Sequence, residues 1–144
     1  SRIAVFGGLG EKHLYEVFRL LDKAVFEAGE GIFQRGDEPS RIYIIESGSV
    51  ELFLPDAETR VDKVHLQPGD CFGEASFLGI HPHSATARCL SRCEIISLSR
   101  EDFLAIKKAD LELFALLVLN LARELARRLM HTDQILLHFA HRKA

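Results

Sequence analysis

Apolar positions change their spacing twice along this chain. Leu14, Val17, Phe18 and Leu21 recur three and four residues apart after the Gly7-Gly8-Leu9-Gly10 turn, which predicts a short helical segment within residues 1–23. The helical period then gives way to short β-prone runs at 24–28, 31–34, 42–46, 49–54, 61–66, 86–90 and 94–98. Turn-forming residues separate nearly all of them: Gly29-Glu30-Gly31, Gly36-Asp37-Glu38-Pro39, Ser47-Gly48, Pro55-Asp56 and Pro68-Gly69-Asp70. Many short strands at close spacing, with no helices of crossover length between them, predict a mainly β fold, a jelly-roll barrel over 24–98.

The helical period returns at the end. Ser99 with Asp102 three residues on reads as a capping box opening a helix that closes near Lys107-Lys108. Asp110 can cap a second helix, and neither glycine nor proline follows it, so that helix is expected to reach about residue 140, roughly 45 Å at the α-helical rise. A compact domain of this size has a radius of gyration of roughly 14–15 Å. One barrel cannot cover such a helix along its length. Leu111, Ala115, Val118, Ala122, Leu125, Leu129, Thr132, Leu136 and Phe139 follow at alternating gaps of four and three, a heptad seam that buries itself against another helix. The expected partner is a second copy of the chain. A second stripe, Phe114, Leu117, Leu121 and Met130, is expected to face the barrel, and Thr132 is the one polar member of the seam.

Composition narrows the class. In 144 residues the hydrophobic fraction is 47% and the charged fraction 27%, ordinary for one folded domain. A formal net charge of −3 argues against nucleic-acid binding, and the short basic run Arg123, Arg127, Arg128, interrupted by Glu124, reads as a solvated helix face. No stretch has the length and apolarity of a signal peptide or a membrane span. Cys71, Cys89 and Cys93 read as reduced thiols of a cytoplasmic protein, Cys89 and Cys93 as buried ones. His81 and His83 form an H-x-H pair, but Thr86 and Ala87 stand where such a metal motif wants a glutamate and no third ligand is in reach, so neither a metal nor a catalytic residue is expected.

The densest chemistry lies between Pro68 and Ala87. Gly73 lets the backbone approach a ligand closely, and Glu74 to Leu78 can form one helical turn whose free amides suit an anion. Glu74 sits badly beside a bare anion. It makes sense if the carboxylate accepts from a sugar hydroxyl while the amides hold a phosphate.

Phe72-Gly73-Glu74 with the downstream Ser84-Ala85-Thr86 resembles the phosphate-binding cassette of cyclic nucleotide-binding domains. Gly29, Gly36, Gly48 and Gly69 fall where that family turns between strands; Tyr43, Val50 and Asp70 also fit, and the likeness covers about residues 6–140. Around Ala126 to Thr132 it extends to the long helix of the bacterial catabolite-activator branch, where the position of Thr132 reaches the adenine across the dimer. The resemblance implies one sensor domain over 1–144, with the cassette at 72–86 and C-terminal helices over 99–140. It implies a purine cyclic nucleotide, cyclic AMP before cyclic GMP, held by Phe72, Gly73, Glu74, Ala75, Ser76, His83, Ser84, Ala85 and Thr132, and no cofactor. His83 stands where the family places an arginine that clamps the cyclic phosphate, and the segment before it is one residue shorter than in the catabolite-activator branch. A neutral histidine offers one donor where arginine offers a fork. Another small ligand, or a dimerising and partner-docking module with a decayed pocket, therefore stays open, as does a plain register role for Thr132. A sensing segment without the helix-turn-helix of the DNA-reading members, touching neither nucleic acid nor membrane, is the expectation.

Overall fold

The computed structural model describes residues 3–54 and 63–143, with the side chains of 63, 132, 133, 135, 136 and 138–143 excepted. A 3-10 turn at Ala4–Phe6 leads into α1 (Glu11–Phe18). Strands β1 (Asp22–Phe26), β2 (Gly31–Phe33), β3 (Arg41–Ser47), β4 (Val50–Phe53), β5 (Lys63–Leu66) and β6 (Cys71–Phe72) follow. Next come α2 (Glu74–Gly79), β7 (Thr86–Cys89), β8 (Cys93–Ser99), α3 (Arg100–Ala109) and α4 (Leu111–Lys143). The strands form two four-stranded antiparallel sheets, ordered β1-β8-β3-β6 and β2-β7-β4-β5. This is the expected jelly roll with flanking helices.

Strand β3 shows why one sheet holds two layers together. Successive side chains of a strand face opposite sides. Ile45, opposite Ile95 of β8, points into the barrel with Phe33, Val50, Phe72 and Cys89. Ile42 and Ile44, opposite Leu98 and Ile96, point the other way, onto Val17, Phe103, Leu113 and Leu117 of the helices. Each fully buried isoleucine is worth about 2 kcal/mol of apolar transfer, which accounts for the near-continuous apolar run of this strand. At the hairpin into β4, Gly48 has φ 91, and a Cβ there would lie 2.4 Å from the Arg92 carbonyl, so that turn admits only glycine.

The capping expectations hold: Asp102 N donates to Ser99 Oγ at 3.1 Å, and Leu113 N to Asp110 Oδ1 at 3.0 Å. Asn120 sets the register of α4 against the N-terminal turn by donating to the carbonyls of Val5 and Gly7 at 3.0 and 2.8 Å.

Other expectations need correction. The N-terminal segment is a 3-10 turn plus an eight-residue helix, because Gly7 to Gly10 interrupts it, and Phe18 stays 49% exposed. Strand β6 is absent from the predicted runs, being two residues long between the Gly69 turn and Gly73. Residues 55–56 of the predicted turn and 61–62 of the predicted fifth strand lie outside the described residues. On α4, Leu117 and Leu121 face the core as expected, but Met130 is 63% exposed, since α4 buries no described side chain beyond Glu124. In the seam, Leu111, Ala115, Ala122 and Leu129 are exposed on this single chain, while Val118 and Leu125 are half-buried. The side chains of Thr132, Leu136 and Phe139 lie outside the described ones. No helix among the described residues is long and apolar enough to cross a membrane.

Candidate functional site

The site grows from the end of β6. Tyr43 pairs with Phe72 and Ile44 with Cys71, which fixes the short strand against the rigid centre of β3. Gly73 then enters the left-handed region (φ 80, ψ −4) and reverses the chain into α2. A Cβ on Gly73 would lie 3.3 Å from Tyr43 Cδ2 and 3.5 Å from both the Arg41 carbonyl and His83 Cε1, so backbone and neighbours close on this point. The first intrahelical bond of α2 is Phe77 N to Gly73 O at 3.1 Å, which leaves the amides of Ala75 and Ser76 with no carbonyl of their own helix to bond. Ala75 is exposed there; Ser76 is buried, with Oγ donating to the Pro82 carbonyl at 3.4 Å. The Phe72 ring faces the barrel interior, 5.2 Å from Tyr43 and 6.0 Å from Phe33 by centroids, so Phe72 offers this site only its backbone.

The return segment runs beside the turn after β2. His83 N donates to Asp37 O at 2.9 Å, Gly36 N to His83 O at 2.8 Å, and Arg35 N to Thr86 Oγ1 at 3.1 Å. These bonds present Ser84 to solvent and leave Ala85 half-buried. His83 is 4% exposed and lies flat on Phe33, centroids 3.7 Å apart and 9° from parallel. Burial holds its pKa below the ordinary value; Asp37 pulls upward and His81 reinforces the lowering, and burial wins. A solvent-facing loop histidine is therefore ruled out at this position, where the ring packs into the core. His81 is exposed, with Nδ1 3.2 Å from the Pro82 carbonyl, so the H-x-H pair places one ring in solvent and the other in the core.

Glu74 is 2% exposed, and its charge partner comes from far along the chain. Arg128 of α4 donates from Nη1 to Glu74 Oε1 and from Nη2 to the Cys71 carbonyl. Burial pushes the Glu74 carboxyl up, and the Arg128 guanidinium pulls it part of the way back. Arg128 was not among the residues assigned to the site from sequence, where it read as part of a solvated face. That reading fits Arg123 and Arg127, both exposed, with Arg127 bonded to Glu124 at 2.6 Å. The signal that separates Arg128 is its position seven residues after Leu121 and four after Glu124, on the core-facing stripe, together with a glycine-flanked carboxylate that needs a cation. Thr132 follows one helical turn beyond Arg128, its side chain outside the described ones.

Comparison with known proteins places the chain in a family. The model of a family described as the cyclic nucleotide-binding domain matches residues 23–110. The chain is 32% identical over 130 residues to the cyclic AMP receptor protein of Thermus thermophilus, covering 90% of this chain and 58% of that protein. The crystal structure of Thermus thermophilus catabolite activator protein superposes with a TM-score of 0.79 at 31% identity, covering 95% of this chain and 63% of the other. A co-crystal structure of the regulatory domain of Toxoplasma gondii PKA with cAMP gives a TM-score of 0.63 at 34% identity over 72% of this chain and 40% of that one. The chain thus spans less than two thirds of each of these relatives.

Proposed function

The chain belongs to the cyclic nucleotide-binding domain family, in its catabolite-activator-like form, and on that premise we propose that it is a sensor of a purine cyclic nucleotide, cyclic AMP before cyclic GMP. The observation that carries the reading is the convergence at one turn of the Gly73 backbone, the α2 amides, the His83 ring and a buried Glu74 already held by a cation. In this reading the cyclic phosphate sits over the amides of Ala75 and Ser76 and the hydroxyl of Ser84, beside Ala85 and His83. The ribose hydroxyl donates to Glu74. Thr132 accepts from the exocyclic amine of adenine, the basis for preferring cyclic AMP.

Arg128 supplies the relay. A sugar hydroxyl arriving at Glu74 shares the carboxylate with an arginine fixed to α4, so occupancy bears directly on where the outer half of that helix is held. The exposed seam of α4 then serves a homodimer. The domain binds and signals with no bond-making step, as a cytoplasmic unit over residues 1–144 that touches neither nucleic acid nor membrane. Isothermal titration with cyclic AMP, cyclic GMP and linear AMP tests this. Heat and a thermal shift with the cyclic nucleotides alone are expected; no heat at millimolar cyclic AMP and cyclic GMP overturns it. Burial of an uncharged His83 favours a second reading, a dimerising module whose cassette no longer holds a ligand, and that outcome would select it.

A further inference from the structure

The cassette helix is held at its far end by a side chain from another element. At six residues α2 has too few turns to stabilise itself. It ends at Ile80, a β-branched residue in the left-handed region (φ 54, ψ 51) and 78% exposed, a conformation that costs energy and needs outside support. The amides of Ile80 and His81 both donate to the Ser76 carbonyl. The next carbonyl, that of Phe77, receives Arg100 Nη2 at 2.9 Å. The same nitrogen donates to the Pro39 carbonyl at 3.0 Å, and the guanidinium carbon stands 4.3 Å from the centroid of the Phe77 ring. Arg100 is the first residue of α3, and its own amide donates to the Ser40 carbonyl at 2.9 Å. One side chain thereby ties the end of α2 to the loop before β3 and to the start of α3.

We propose that Arg100 is a positioning residue for the anion site: it touches no ligand, and by clamping the carbonyl end of α2 it fixes the direction in which the Ala75 and Ser76 amides point. The proposal rests on the cassette being the phosphate site. Phe77, 1% exposed, anchors α2 to the core through its ring, but a ring contact leaves a short helix free to pivot about it. Two carbonyl bonds and a stacked guanidinium remove that freedom. A preorganised set of amides binds an anion more tightly than one that must be ordered on binding. Arginine suits the task because its planar group bonds in its plane while stacking on its face; lysine can reach one carbonyl but cannot stack in this way.

The test uses the full chain with Arg100→Gln and Arg100→Lys, reading amide hydrogen exchange and cyclic AMP affinity. In Arg100→Gln the amides of residues 78–81 should exchange about tenfold faster while those of β3 and β8 keep the parent's rates. Cyclic AMP should bind about tenfold more weakly, and Arg100→Lys should recover part of both effects. Unchanged exchange at 78–81, or a uniform rise across β3 and β8, overturns the proposal. A parent that binds and a glutamine variant that binds equally well with a loosened α2 also overturns it. A parent that binds no cyclic nucleotide overturns the sensor reading instead, and the exchange rates still decide whether Arg100 holds the helix.

Discussion

Arg128 of α4 and Glu74 of the cassette form an ion pair across 54 residues of chain, and the same guanidinium bonds the Cys71 carbonyl on the strand before the turn. Glu74 has a 3% exposed side chain, whereas that of Arg128 is 28% exposed, so water screens one end of the pair. Removing one partner of a fully buried pair costs 3–5 kcal/mol; screening should bring Arg128→Leu to about 2 kcal/mol. The carboxyl left behind loses the group that pulls its pKa down, so its already raised pKa rises further. A raised carboxyl pKa gives stability that is present below the unfolded value and lost as pH rises through the folded one. Urea unfolding of Arg128→Leu should therefore show the larger deficit at pH 8 and a smaller one near pH 5. Equal deficits at both would remove Glu74 from the explanation.

The seam of α4 yields a second prediction. Leu111 and Leu129 are 65% and 62% exposed on a single chain, with Ala115 and Ala122 open between them. Small and branched apolar side chains repeating on one helix face bury well only against another helix. Sedimentation equilibrium should give a dimer at micromolar concentration for the parent and a monomer for Leu125→Lys. A parent that stays monomeric across the concentration series would dispose of the seam.

Legibility followed the range of the physics. Ser99 and Asp110 were readable as caps because capping is local, three residues in each case, and both bonds are present. The strands were readable because glycine and proline turns bound them. Arg128 was harder: its place on the stripe of Leu121 and Glu124 sets it apart from solvent-facing Arg127, but its partner is 54 residues away. The packing of the His83 ring was not readable, because its environment is Phe33 of another strand. Strand β6 is too short to show any period.

The three cysteines should be inert in the folded chain. Cys71, Cys89 and Cys93 are at most 2% exposed. Burial is the largest cause pushing the Cys71 and Cys89 thiols up to about 12, with Cys93 beside Cys89 adding to the effect there. The thiolate is the reactive species and is scarce at pH 8 for such a group. Ellman's reagent should find no fast-reacting thiol in native protein and all three after unfolding. A stoichiometric fast phase in the native state would contradict the packing of β6, β7 and β8.

His83 carries the last prediction, in two parts of opposite sign. Without nucleotide its pKa is lowered by burial against Phe33, partly opposed by Asp37 and reinforced by His81. A lowered pKa means the unfolded chain binds more protons, so this stability is fully present above about 6.5 and is lost as pH falls through the folded value. A cyclic phosphodiester is anionic throughout this range. Placed over Gly73, 3.5 Å from whose Cβ position His83 Cε1 lies, it should favour the imidazolium and raise the same pKa. Binding then takes up part of a proton, and affinity should rise from pH 8 to pH 6, by at most about tenfold per unit. Acid should thus weaken the protein alone while strengthening its complex. His83→Arg, whose guanidinium can also lie flat on Phe33, should bind more tightly with a shallow pH profile. His83→Phe keeps the stack without a charge and should bind weakly with a flat profile. Dissociation constants for the three proteins at pH 6, 7 and 8 separate these cases. A flat parent profile with no gain in the arginine variant would take His83 out of the site and leave the anion to the α2 amides and Ser84.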